Sequence, residues 1–195
     1  EGTSGAHLVL GPKACASISL QPKSRDLSAE KPAFFAEVSN LFVPGPGIID
    51  GRHKITIRPS RGQLSALDCG VPDGFTVSDV LANGLTNWRF DPDADSLHLE
   101  FNPPLSEPFA IMVETQQGSE ALPTELSLSP LSVDGAEGQV GTLGVAFGSD
   151  AQLEKSSADG LSKVNQDDFD HSLLRRTKDT PPLGTLNQAY RYGAE

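Results

Sequence analysis

The chain has 195 residues, which is room for one domain, or for one domain and part of a second. Fifteen Lys and Arg against 26 Asp and Glu leave a formal charge of -11, a balance that repels a phosphate backbone and argues against nucleic acid as a partner. No apolar run approaches the ~18 residues of a membrane span, and 37% hydrophobic residues suffice for a buried core.

The chain starts at Glu1, and His7-Leu8-Val9-Leu10 is too short for the apolar stretch of a signal segment. Lys13, just before Cys15, argues against a lipid-anchor box. Residues 1–29 read as a strand segment or linker. Ser28-Ala29-Glu30-Lys31 matches the S-x-x-K nucleophile motif, but its companion motifs are missing and Pro32 follows at once, so it reads as a chance match.

From Phe34 onward the dominant period is two, the signature of strands with one wet face. Phe34-Phe35-Ala36-Glu37-Val38 is the first such run, with Phe34 or Phe35 inward. Pro44-Gly45-Pro46-Gly47 and Asp50-Gly51 read as turns. His53-Lys54-Ile55-Thr56-Ile57-Arg58 places Ile55 and Ile57 inward and Lys54, Thr56 and Arg58 outward; His53 at its start reads as a surface residue. Pro72-Asp73-Gly74 reads as a turn with Pro second, and Phe75 to Val80 as a strand. Trp88-Arg89-Phe90 and Ser96 to Phe101 form a hairpin around Asp91-Pro92-Asp93-Ala94-Asp95, with Leu97, Leu99 and Phe101 inward and His98 outward. Phe109, Ile111 and Val113 share the inner face of the next strand. Leu126, Leu128 and Pro130 share another, as do Leu143, Val145 and Phe147. Short strands at this spacing, with no glycine-rich phosphate loop and no alternating helices, give an all-β, mostly antiparallel β-sandwich over residues 30–147. Residues 148–195 read as a less regular extension or the start of a second β module. Within it Asp167 to Arg176 suits a short helical turn, and Ala189-Tyr190-Arg191-Tyr192 reads like a strand. A chain that begins without Met and stops on a strand is expected to be a piece of a longer protein.

The stretch from about Phe34 to Phe147 resembles a β-sandwich segment of large uncharacterised bacterial cell-envelope proteins. The resemblance rests on Val71 to Val80, Asn87-Trp88-Arg89-Phe90, the strand pair carrying Leu97-Leu99-Phe101 and Phe109-Ile111-Val113 with Pro104 and Pro108 between, and Gly138 to Leu143. It implies an exported setting, periplasmic or at the cell surface, within a multidomain protein, and it implies no catalytic residue and no cofactor.

Several groups of residues carry site hypotheses. Asp91, Asp93 and Asp95 open like a calcium loop, but Ser96 and Asn102 stand where that loop needs Gly and Glu, so a solvated turn competes with a weak calcium site. Cys15 and Cys69 are either two idle thiols or one disulfide, and too few ligands accompany them for zinc. Arg52, Lys54, Arg58 and Arg61 make a basic segment on an acidic chain. It is either a charged sheet face that blocks edge pairing, or a docking face for an acidic neighbour such as the patch around Asp159, Asp167, Asp168 and Asp170. Trp88 with Tyr190 or Tyr192 would be the platform of a glycan-binding module, if all were exposed. No nucleophile, base and orienting group stand together in the sequence, so the expectation is a non-catalytic structural or interaction module whose partners are neighbouring domains or envelope proteins.

Overall fold

The computed structural model describes residues 30–120, 125–149, 151–177 and 179–193. Among the described residues eleven strands run in chain order: β1 Ala33–Gly45, β2 Ile48–Arg61, β3 Leu64–Gly70, β4 Thr76–Ala82, β5 Leu85–Asp91, β6 Ser96–Leu105, β7 Phe109–Gly118, β8 Ser132–Val133, β9 Gly138–Phe147, β10 Ser162–Lys163 and β11 Thr185–Gly193. They form a seven-stranded sheet, β10-β11-β9-β1-β2-β7-β4, and a four-stranded sheet, β5-β6-β3-β8. All pairings are antiparallel except β1 with β9. The fold is all-β.

The main core lies between the sheets. Phe34, Val38, Phe42, Ile55, Ile57, Ile111 and Val113 from the larger sheet meet Leu67, Cys69, Leu97, Leu99 and Phe101 from the smaller. The period-two runs predict this well, because each strand has one face on that core. Phe34 is the inward residue of its pair and Phe35 is 50% exposed. Trp88 and Phe109 are half-buried and packed against the core edge.

Local readings change in three places. Asp50-Gly51 is no turn: both lie inside β2, and the reversal falls on Pro46-Gly47, where Gly47 has φ +83°. In the next turn Pro72 stands first, its carbonyl accepting from Phe75 N at 3.1 Å. Leu126 and Leu128 lie in a segment without ladder bonds, although both pack on the core.

The tail adds a third layer. β11 pairs antiparallel with β9, so the larger sheet extends to Gly193. Two 3₁₀ turns, Gln166–Asp168 and His171–Leu174, lie near the sheet's outer face. There Phe169, Leu173 and Leu174 bury against Leu41, Ala146, Leu186 and Ala189 in a second, smaller core. None of the described helices is long and apolar enough to cross a membrane. The strand segment or linker expected over residues 1–29, with Cys15 and Ser28, lies outside the described residues.

Candidate functional site

Two arrangements of polar groups stand out, one inside the sandwich and one on its outer face.

The inner one begins with His53. Its phase along β2 matches Ile55 and Ile57, so it points into the core and is fully buried, against the expectation of a surface histidine. Nδ1 lies 2.8 Å from Asn40 Oδ1, and Nε2 lies 2.9 Å from Thr115 Oγ1. An amide oxygen only accepts, so Nδ1 carries the proton, and the Thr115 hydroxyl donates to the bare Nε2. Asn40 Oδ1 also accepts from Leu131 N at 3.1 Å. Asn40 Nδ2 donates to Thr142 O at 3.1 Å and to the Tyr192 hydroxyl at 2.9 Å, which donates on to Val38 O. One network therefore ties β1, β2, β7, β9 and β11 to the segment before β8. Phe42 closes it with an edge-on ring 5.4 Å from the imidazole. Burial lowers the His53 pKa from 6.5 to about 3.

The order Thr115–His53–Asn40 has the connectivity of a hydroxyl nucleophile, a base and its orienting group. Its burial denies a substrate any approach: Asn40 and His53 are 0% exposed and Thr115 1%. Gly51 belongs to the same packing. A Cβ there would stand 2.2 Å from Thr115 Oγ1 and 2.9 Å from His53 Nε2. Gly51→Ala is expected to cost about 2–3 kcal/mol, read as a lowered urea midpoint, because neither side chain can retreat without giving up its hydrogen bond.

The outer arrangement is a cavity of about 230 Å³ at the margin of the tail layer. Glu37, Ser39, Thr56 and Thr142 supply its sheet side, and Lys54, Asp168, Phe169 and Asp170 also line it. Lys54 Nζ donates to Asp170 Oδ2 at 2.8 Å. Burial alone would raise the Asp170 pKa, but the bonds from Lys54 and Ser172 outweigh it and hold the carboxyl below its usual value. Thr142 Oγ1 is buried without a hydrogen-bond partner among the described residues.

The basic segment is thus dispersed. Arg52 is buried, which removes it from any docking face. Its guanidinium donates to Glu114 Oε1 and to the carbonyls of Leu173 and Arg175, clasping the tail to the sheet. Lys54 meets the acidic patch of its own chain at Asp170. Arg58 pairs with Glu37 at 3.0 Å, both exposed, and Arg61 is exposed at the end of β2. The aromatic platform is not assembled either. Trp88 sits in the smaller sheet, whereas Tyr190 is buried in the larger one and the Tyr192 hydroxyl is spent on the inner network. Asp91, Asp93 and Asp95 occupy the β5–β6 turn, where Asp91 Oδ1 accepts from Asp93 N and Asp95 adopts φ 47°. Among the described residues no three His, Cys, Asp or Glu side chains are gathered as metal ligands. Cys69 is buried and has no disulfide partner among the described residues; the pKa of its thiol is raised by burial and by the nearby charges of Asp134 and Asp68.

No family model matches the chain, and no curated protein matches it. Among solved structures, it is similar to an M1 zinc metallopeptidase from Deinococcus radiodurans, at 14% identity over 83% of this chain and 38% of that one, with a TM-score of 0.42. It is also similar to a two-domain M1 zinc metallopeptidase mutant bound to L-tryptophan, at 16% identity over 86% and 40%, with a TM-score of 0.41. The chain spans about two fifths of the length of these neighbours. A likeness this distant assigns no activity.

Proposed function

We propose that the chain is a non-catalytic protein-interaction module that meets its partner through the part of the larger sheet's outer face that the tail leaves bare. The observation that carries this reading is a strip across five strands of that sheet. Val140 on β9 is 53% exposed, Phe35 on β1 50% and Leu81 on β4 62%. Register places Val140 beside Glu37 and Thr56 beside both Glu37 and Ala110, while Arg58 stands beside Phe35. Single exposed apolar residues are ordinary. Three large ones along one open sheet face, interleaved with an ion pair, have the composition of a contact surface with a polar rim. The non-catalytic part of the reading is supported by the inaccessibility of Thr115 and His53. The setting within it, an exported bacterial envelope protein, is supported by the resemblance of residues 34–147.

The test is a photo-crosslinking amino acid placed at Phe35 in the full-length protein in its own cells, with Thr86 on the smaller sheet as the control position. A discrete protein adduct from position 35 and none from position 86 is expected. No adduct, or the same adducts from both positions, overturns the reading.

A further inference from the structure

We infer that Asn83 is a site of spontaneous covalent modification, where the side-chain amide closes on the backbone nitrogen of Gly84 to a succinimide that opens to aspartate or isoaspartate. Of the six Asn in the chain, only Asn83 is followed by Gly. The two residues form the turn between β4 and β5, and both are exposed. Among the described residues neither the Asn83 side chain nor the Gly84 N–H makes a hydrogen bond. Gly84 is held from its other side. Its carbonyl accepts from Asn102 N at 3.1 Å, and Leu105 Cδ2 lies 3.3 Å from where a Cβ would stand. Gly84 also has φ +76°, a backbone conformation that favours glycine. The attacking nitrogen therefore sits on an anchored residue, while the amide it attacks has nothing to hold it back.

The chemistry needs only water and hydroxide. Gly84 N gives up its proton to hydroxide and attacks Asn83 Cγ. The N–Cγ bond forms and the Cγ–Nδ2 bond breaks, and the amide nitrogen takes a proton from water and leaves as ammonia. Water then opens the imide at one carbonyl to give aspartate, or at the other to give isoaspartate. A Cβ on the following residue would crowd this approach, and glycine has none. The other Asn supply the contrast. Asn40 is buried with its bonding positions used. Asn102 precedes Pro103, whose nitrogen carries no hydrogen. Asn87, Asn165 and Asn187 are exposed but precede Trp88, Gln166 and Gln188. Asn83 also lines a shallow hollow of about 350 Å³ with Leu81, Ala82 and Ala110. Either product sets a new carboxylate there, beside the exposed Leu81.

The experiment is a timed incubation of the full-length protein at pH 6 and pH 8, in native buffer and in urea. Peptide mapping then reads the mass gain of amide-to-acid conversion at each Asn, and an isoaspartate assay reads the rearranged product. In native buffer at pH 8, Asn83 is expected to convert about tenfold faster than Asn165, which is also exposed but precedes Gln166. The rate is expected to be higher at pH 8 than at pH 6, because the attacking group is the deprotonated amide. Asn83→Gln is expected to fold as the parent does, the position being exposed and its side chain unbonded, and to remove the isoaspartate from this peptide, because the longer side chain closes only to a larger ring. No conversion at Asn83 in native buffer, a rate no higher than that of Asn165, a rate independent of pH, or conversion confined to urea each overturn the inference.

Discussion

Replacing Asn40 with leucine is expected to remove about 4 kcal/mol of stability, read as the drop in unfolding free energy in urea at pH 7. The side chain is fully buried and all its bonding positions are used: Oδ1 accepts from His53 and Leu131, and Nδ2 donates to Thr142 O and the Tyr192 hydroxyl. Leucine fills similar space but strands the His53 N–H, the Leu131 N–H and the Thr142 carbonyl in a dry interior. Each stranded group costs about 1–3 kcal/mol, and the gain from a buried apolar side chain offsets part of the total. Against a typical domain stability of about 5–15 kcal/mol, the loss brings the variant close to unfolding. Ser39 supplies the control. It is the preceding residue on the same strand, points to the outer face and makes no side-chain hydrogen bond among the described residues, so Ser39→Ala is expected within about 0.5 kcal/mol of the parent. If Asn40→Leu costs less than about 1 kcal/mol, the network does not hold the sheet together.

Much of this network is legible in the chain's alternation. His53 keeps phase with Ile55 and Ile57, Asn40 with Val38 and Phe42, and Thr115 with Ile111 and Val113. A polar residue on an apolar phase is the sign of a buried hydrogen-bonding group. Reading His53 by its residue type and not by its phase puts it on the surface. Gly51 is misread for a related reason. Beside Asp50 it has the composition of a turn, yet the need for glycine comes from Thr115, sixty-four positions later. The same limit applies to the outer face. Arg52 stands on the wet phase of β2, and only the folding of Leu173 and Arg175 across the sheet buries it. Alternation reports which face a residue occupies, but not which distant segment covers that face. The fold class depends on the first kind of information and follows from the sequence. The cavity depends on the second, because Asp168 and Asp170 reach it only when the tail lies down beside Lys54.

The tail also changes the meaning of the basic segment. Read along the chain, Arg52, Lys54, Arg58 and Arg61 suggest a positive face awaiting an acidic partner. In the fold the chain answers most of that charge itself, through Glu114, Asp170 and Glu37.

Stability is expected to fall as the pH drops below 6.5, by up to about 1.4 kcal/mol per pH unit and by about 2–3 kcal/mol at pH 4.5, and His53 is the group that sets this window. Its pKa is about 3 in the fold against 6.5 for a free imidazole, the cause being burial. The unfolded chain therefore binds a proton that the native state refuses. The contribution is fully present above pH 6.5 and is lost progressively as the pH falls toward 3. The neighbours explain why no compensation is available. Asn40, Thr115, Phe42 and the Gly51 backbone surround the ring, and none carries a negative charge. Protonating Nε2 would also force the Thr115 hydroxyl to turn from donor to acceptor. Asp170 acts in a different window: its lowered pKa gives a contribution that is lost only as the pH falls below about 3.8. Urea midpoints between pH 7 and 4.5 for the parent and for His53→Gln separate the two, because the variant's curve should be flatter across this range. Imidazole ¹⁵N shifts of the folded parent give a second readout that needs no variant. They should show Nδ1 protonated and Nε2 bare down to pH 4.5. A ring that titrates near pH 6.5 in the folded chain, or a His53→Gln curve as steep as the parent's, would show that the imidazole is not held neutral by the core.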